Sequence, residues 1–328
     1  MASELAQHRR AAILRGMTEP SYRLEDLGDR RVLTVAGRDY PTAYSARVVR
    51  MLVERKGPLR APQYFSFKET RGRHFLARLF AYLRARGGDG LSVLEVGCSF
   101  GHITEYLAEQ PEVREISTFD TDPSFVAIVR AKVEELGLAR VRDVRLLDNE
   151  ETRRLPYPDG RFDLVLVVGV IEHLPVRGRR EIVEEYYRVL ARGGHIAILD
   201  TPNRLFPLET HSIGLPLVQW MPAPLAFAYA KVGRPRRFRG IGYGEFVADG
   251  TGWRNASLAA CLPSSGRAGL EDVTEEASYG WRFFHDTARS RTRKLALPAF
   301  ALACGVLRRL RLPPSLALPY LNVVFRKR

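Results

Sequence analysis

The sequence predicts an α/β protein built around a doubly wound sheet with helices on both faces, and three observations predict it. Short apolar runs recur between Leu91 and Pro202: LSVLEVG, EISTFD, VRDVRLLD, FDLVLVVG and HIAILDTP. Between them lie ITEYLAEQ, PSFVAIVRAKVEELG and RREIVEEYYRVLARGG, stretches of helical character that supply the crossovers parallel strands require. Hydrophobic residues are 45% of the chain and charged residues 27%, a balance able to bury both faces of such a sheet. The 328 residues exceed an average domain but suit one α/β domain with insertions.

The elements follow in order. The opening MASELAQHRRAAILRG is basic and lacks the continuous apolar core of a secretory signal, so the chain is expected in the cytoplasm. Residues 1–88 are read as an N-terminal extension with cap helices. Within it Phe75, Leu76, Leu79, Phe80 and Leu83 recur at helical spacing before the Gly87-Gly88 break. Residues 89–202 form the sheet core, whose last helix is expected to stop at Gly193-Gly194.

Beyond Pro202 the alternation fails, and 203–250 is read as a substrate-binding insertion or lid. Ile213 to Ala230 carries no charge, yet Pro216, Pro222 and Pro224 argue against a straight membrane-spanning helix. Residues 251–328 are read as the rest of the core with a second, basic and apolar insertion. Its uncharged run from Leu295 to Leu307 is too short to cross a bilayer. PYLNVVFRKR is expected to be a last strand.

The formal charge of +14 is concentrated late: from Gly280 to Arg328 eleven Lys or Arg face one acid, Asp286. A cluster of this kind suits an anionic membrane surface, where the two uncharged runs would settle with arginines at the headgroups. Nucleic acid is the less favoured partner, since no RNA-binding signature accompanies the charge. Cys98, Cys261 and Cys304 are too scattered for a disulfide framework or a thiolate site, and no metal site is expected.

In an open parallel sheet, ligands bind beyond the carboxyl ends of the strands. The first strand runs into Glu95, Val96, Gly97, Cys98, Ser99, Phe100 and Gly101, where two glycines let the backbone bend and approach a ligand. The turn is neither GxGxxG nor a phosphate-binding loop. The second strand ends at Asp120, whose carboxylate has two oxygens with which to hold both hydroxyls of a ribose. Asp122, directly before Pro123, is better placed as a helix cap. The third strand is read as ending at Asp148, beside Asn149, where an acceptor can meet an adenine amino group. The fourth runs through Gly169 to Glu172 and His173.

In this order the segments resemble the class I S-adenosylmethionine-dependent methyltransferases, particularly the small-molecule group that includes quinone-biosynthesis enzymes. VLEVGCSFGHIT is similar to the family's first motif and FDTDPSF to its second-strand acidic motif. LPYPDGRFDLVLVVGVIEHL and VLARGGHIAILDTPN are similar to the later ones. The resemblance covers about a third of the chain, Ser92 to Asn203. It implies a Rossmann-like sheet of seven strands and S-adenosylmethionine as cofactor, to which the pattern of the chain adds an N-terminal helical extension and apolar insertions after strands 5 and 6.

The resemblance also implies roles for particular residues. Glu95, Gly97, Cys98, Ser99, Gly101 and His102 would line the methionine end of the cofactor, Asp120 and Thr121 the ribose, and Asp148 and Asn149 the adenine, with Gly169 at the edge of the site. Ser99 stands where the family usually has a glycine.

Methyl transfer from a sulfonium needs chiefly positioning, and a base only where the acceptor must lose a proton. His211, at the mouth of the uncharged insertion, is the favoured base, with His173 and Glu172 as further catalytic residues. The expected reaction is O-methylation of a small lipophilic or glycosylated metabolite. An RNA methyltransferase and a non-catalytic membrane-associated protein of the same fold are the alternatives.

Overall fold

The computed structural model describes residues 21–28, 30–265 and 268–328, so the first twenty residues of the expected extension lie outside the described residues. Two compact units divide the chain, one ending at Asn149 and the other beginning at Glu150.

The first unit opens with an antiparallel meander: β1 (Tyr22–Asp26), β2 (Arg31–Val35) and β3 (Arg38–Thr42). Ala36 and Gly37, at φ 50° and 74°, make the tight two-residue turn that joins β2 to β3 with the strand twist preserved. The extension is therefore not wholly helical as expected. Its helices follow: α1 (Ala46–Lys56), whose Ser45 side chain accepts the Val48 N–H, and α2 (His74–Arg84). All five residues that predict α2 are buried, and Gly88 N–H closes its end on the Leu83 carbonyl.

The sheet of this unit is β4 (Leu91–Val96), β5 (Val113–Asp120) and β6 (Val141–Leu146), all parallel, in the order β6-β5-β4. Helix α3 (His102–Ala108) follows β4, and α4 (Pro123–Glu135) follows β5. Asp122 caps α4 by accepting the Ser124 N–H, as its place before Pro123 predicts. The third strand stops at Leu146 rather than Asp148; Leu147 turns inward and Asp148 is exposed. Leu33, Val35, Val48, Val49 and Leu52 pack with Phe100, Ile128 and Ala131, so β2 and α1 cover α4 and the turn after β4.

The second unit holds β7 (Phe162–Val168), α5 (Arg179–Val189), β8 (Leu190–Pro202), β9 (Leu270–Asp272) and β10 (Tyr320–Lys327). β7 and β8 are parallel, while β10 runs antiparallel between β8 and β9. Helix α5 ends at Val189, before the predicted stop, and Gly193-Gly194 lies within β8. A Cβ on Gly194 would approach the Asp163 carbonyl oxygen at 2.9 Å, so the second glycine serves close packing on β7 rather than a helix end. With β4 to β6, these strands give the seven of a Rossmann-like α/β fold among the described residues.

The insertion after β8 contains α6 (Ala223–Gly233), which starts behind Pro222, and α7 (Tyr243–Val247). Ile213, Val218, Ala226, Phe246 and Trp253 form its own apolar cluster. Between β9 and β10 lie α8 (Trp281–Asp286) and α9 (Arg291–Arg309). Leu297, Phe300 and Cys304 turn α9 inward, whereas Leu295, Leu302 and Val306 share its outer face, 75%, 72% and 48% exposed. No helix among the described residues is long and apolar enough to cross a membrane.

Candidate active site

The glycine turn lies wholly in the first unit. Gly97, Ser99 and Gly101 all have positive φ, at 75°, 46° and 76°. Ser99 thus occupies the left-handed region, which costs a non-glycine residue about 1–2 kcal/mol. Its N–H is fixed there by donating to Asp120 Oδ2 at 2.9 Å. Gly101 has a steric reason as well: a Cβ there would press on Val129 Cγ2 at 3.1 Å. Phe100 anchors the turn, its ring 4.2 Å from that of Tyr64 and 4.7 Å from that of Phe125.

Glu95 and Cys98 point into the protein. The Glu95 carboxylate, 3% exposed, accepts the Thr104 hydroxyl at 2.6 Å, and burial pushes its pKa up to about 8. Burial likewise pushes the Cys98 thiol well up. His102, first residue of α3, is pushed down to about 3 by burial and by the nearby Arg71 and Lys132, so it is a neutral ring.

Asp120 accepts N–H groups on both oxygens, from Ser99 on Oδ2 and from Asp122 on Oδ1 at 3.0 Å. A carboxylate offers about four acceptor positions, so the backbone bonds orient it and leave acceptor capacity for a hydroxyl donor. Burial raises its pKa, and the backbone N–H bonds oppose the rise. Thr121, Asp148 and Asn149 are exposed just past the strand ends. The donor and acceptor set of this unit therefore fits an adenosine.

Beneath the turn is an arrangement that residue spacing does not disclose. Lys132 on α4 and Glu105 on α3, with side chains 2% and 7% exposed, meet at 2.6 Å. The Tyr44 hydroxyl donates to the same carboxylate at 2.9 Å, and its ring lies 4.0 Å from the Lys132 ammonium.

The second unit carries the acid and histidines of the sequence reading. Gly169, at φ 65°, ends β7, and a Cβ there would stand 3.8 Å from Glu172 Oε1. Glu172, His173 and His211 come together, although His211 is 38 positions beyond His173. Their Nε2 atoms are 3.1 Å apart, and Glu172 Oε1 lies 3.9 Å from His173 Nε2 and 4.0 Å from His211 Nε2. The Glu172 side chain has no exposure, while the two imidazoles are 41% and 29% exposed. His173 Nδ1 lies 2.8 Å from the Gly250 carbonyl and must carry a hydrogen to bond it, which leaves Nε2 as an acceptor. His211 Nε2 then donates to His173. Crowding by protein pushes the His173 pKa down, and the Gly250 bond opposes the shift.

Several positioning residues escape the sequence reading. The buried Glu209 carboxylate accepts the N–H groups of His211 and Ser212 on Oε1 and of Ile213 and Gly214 on Oε2. It thereby fixes the loop that presents His211. Gly252 packs against both imidazoles: its Cβ would come within 3.1 Å of His173 and 3.2 Å of His211. The Gly250-Thr251-Gly252 run was the available signal. A cleft lined by Glu172, Arg179, Asp249, Gly250, Thr251 and Gly252 opens beside the cluster.

Residues 93–194 match the protein family described as the methyltransferase domain. The chain is 34% identical over 123 residues to phosphatidylethanolamine N-methyltransferase of Cereibacter sphaeroides, covering 38% of this chain and 55% of that protein. It is 32% identical over 110 residues to demethylmenaquinone methyltransferase of Thermus thermophilus, covering 34% and 47%. With 27-O-demethylrifamycin SV methyltransferase of Amycolatopsis mediterranei it shares 30% over 127 residues, covering 38% and 42%. The chain spans about half the length of the curated relatives it matches.

Proposed function

We propose that this chain, whose residues 93–194 match the methyltransferase domain, is a class I S-adenosylmethionine-dependent methyltransferase and methylates a hydroxyl of a small lipophilic or glycosylated metabolite. The relatives are named for acceptors on nitrogen as well as oxygen, so the matched domain leaves the acceptor atom open. The reading rests on the meeting of Glu172, His173 and His211 in the second unit. An acceptor that must lose a proton, as an alcohol or phenol must, needs a cluster able to handle that proton.

Bound S-adenosylmethionine supplies an electrophilic methyl on a sulfonium. In this proposal Asp120 receives the ribose hydroxyls, and the Gly97 to Gly101 backbone, with Glu95 behind it, holds the methionine end. Asp148 and Asn149 meet the adenine. Orientation of this kind contributes about 7–11 kcal/mol to lowering a bimolecular barrier. The apolar insertion supports a lipophilic acceptor: Trp220 and Leu225 remain 48% and 62% exposed although their neighbours form a cluster.

Peripheral contact with an anionic membrane surface belongs to the same proposal. It is supported by the outer face of α9, where Leu295, Leu302 and Val306 lie between Arg291 and Lys294 at one end and Arg308 and Arg309 at the other.

The test is mass spectrometry of metabolite extracts incubated with the protein and isotopically labelled S-adenosylmethionine. A labelled methyl on a hydroxyl oxygen of a small molecule is expected. Label confined to RNA or to amine nitrogen would refute the reading, as would the absence of cofactor binding.

A further inference from the structure

The Glu172, His173 and His211 distances fit a common ligand. Protein-bound zinc lies about 2.0–2.1 Å from imidazole nitrogen and about 2.0–2.2 Å from carboxylate oxygen. The nitrogens are 3.1 Å apart, with Oε1 3.9 and 4.0 Å from them. A point about 2.1 Å from both nitrogens, on the carboxylate side, therefore falls about 2.2 Å from Oε1, inside the zinc range. One ion would meet three protein ligands with the atoms where they stand. We infer that Glu172, His173 and His211 bind a divalent transition-metal ion of the zinc type.

The surroundings are those of a built site. The Gly250 carbonyl accepts from His173 Nδ1 at 2.8 Å, which aims the lone pair of Nε2 away from the backbone and towards His211. Orientation of a ligating imidazole through its other nitrogen is what metal sites require. Glu209 immobilises the His211 loop through four backbone N–H groups, and Gly252 leaves only enough space for the two rings. The pair has one hydrogen between its Nε2 atoms; the ion replaces it, with His211 carrying its hydrogen on Nδ1 instead. Two imidazoles and one carboxylate suit zinc and its first-row neighbours better than calcium or magnesium, which prefer oxygen. Three protein ligands and partly exposed rings leave a further position open, the arrangement of catalytic rather than structural sites.

The role follows if the O-methylation reading above holds. The ion would then supply Lewis acidity, lowering the pKa of a hydroxyl bound at its open position so that the proton could pass to water.

The test uses the full chain stripped with chelator and dialysed, then titrated with Co²⁺ while the visible absorption is followed, with metal content measured after Zn²⁺ loading. One ion per chain and a cobalt band are expected, and Zn²⁺ should raise the melting temperature. His211→Ala and Glu172→Gln should each weaken binding by at least about a hundredfold, while His285→Ala, at an exposed histidine outside the cluster, should leave it unchanged. Circular dichroism establishes that the variants are folded, and Glu172→Gln keeps the volume of the buried side chain. Absence of stoichiometric metal in the wild-type protein overturns the inference, and so does equal affinity in the folded variants. Metal content decides this site alone. The labelled-methyl experiment decides the O-methylation reading alone, so either can fail without the other.

Discussion

Replacing Glu95 by Gln should change how stability depends on pH. The carboxyl is 3% exposed, and burial raises its pKa from 4.5 to about 8. The folded protein therefore holds a proton that the unfolded chain releases near pH 4.5. Between those values the unfolded state binds fewer protons, so stability must fall as pH rises. The stabilisation is complete below about pH 4.5 and is lost as pH climbs towards 8. A span of about 3.5 units, at about 1.4 kcal/mol each, bounds the effect at about 5 kcal/mol. That is a large share of the roughly 5–15 kcal/mol by which domains are stable.

Glutamine keeps a carbonyl to accept the Thr104 hydroxyl and has no charge to bury. Glu95→Gln should thus match the wild type near pH 5 and exceed it by several kcal/mol at pH 8. Urea unfolding at pH 5, 6.5 and 8 measures the difference. A difference that stays constant across the three values would show that Glu95 is already ionised in the fold, and would refute the reasoning.

Three further outcomes are expected. Lys132→Met removes one partner of a buried ion pair and should cost about 3–5 kcal/mol in urea unfolding, and Lys132→Met with Glu105→Gln should recover much of it; additive losses would exclude coupling. Asp120→Ala should weaken S-adenosylmethionine binding by at least about a hundredfold in calorimetry, since two hydrogen bonds to a charged group are worth about 1.5–3 kcal/mol each. Because burial raises the Asp120 pKa, the same affinity should fall on acidification at a pH above the usual carboxylate range; unchanged affinity in Asp120→Ala would remove the ribose assignment. Leu302→Glu, at a position 72% exposed, should leave stability unchanged yet reduce co-sedimentation with phosphatidylserine vesicles at least tenfold, since a buried Leu is worth about 1.5–3 kcal/mol; equal sedimentation would exclude α9 as the membrane face.

The core was legible because its signals are local. Strands β4, β5, β7 and β8 are apolar runs with an acid or glycine just past several of their ends, and a run of six to eight residues carries that information in itself. The N-terminal meander was not legible for the same reason reversed. Ala36-Gly37 is a weaker turn signal than Asn-Gly, and β1 to β3 leave Arg23, Arg38 and Asp39 exposed among few apolar positions. Gly193-Gly194 was misread because a glycine pair marks a helix end and a close strand contact equally well; only the Asp163 carbonyl decides between them.

The two halves of the chemistry divide along the same line. Asp120 is bonded to Ser99, 21 residues away, across adjacent strands, and the strand ends announce both. The cluster of Glu172, His173 and His211 depends on partners that no strand pattern announces. The Gly250 carbonyl is 77 positions beyond His173, and Glu209 reaches only its own loop, where its value lies in four backbone groups rather than in side-chain chemistry. The sequence singles out His211 from its place at the mouth of the uncharged insertion, without its partners. Its Nε2 donates to His173, because the Gly250 bond fixes the tautomer of the first imidazole. A histidine read from residue type alone thus stands, once the second ring and the carboxylate are in place, as the donor of an imidazole pair beside a buried acid.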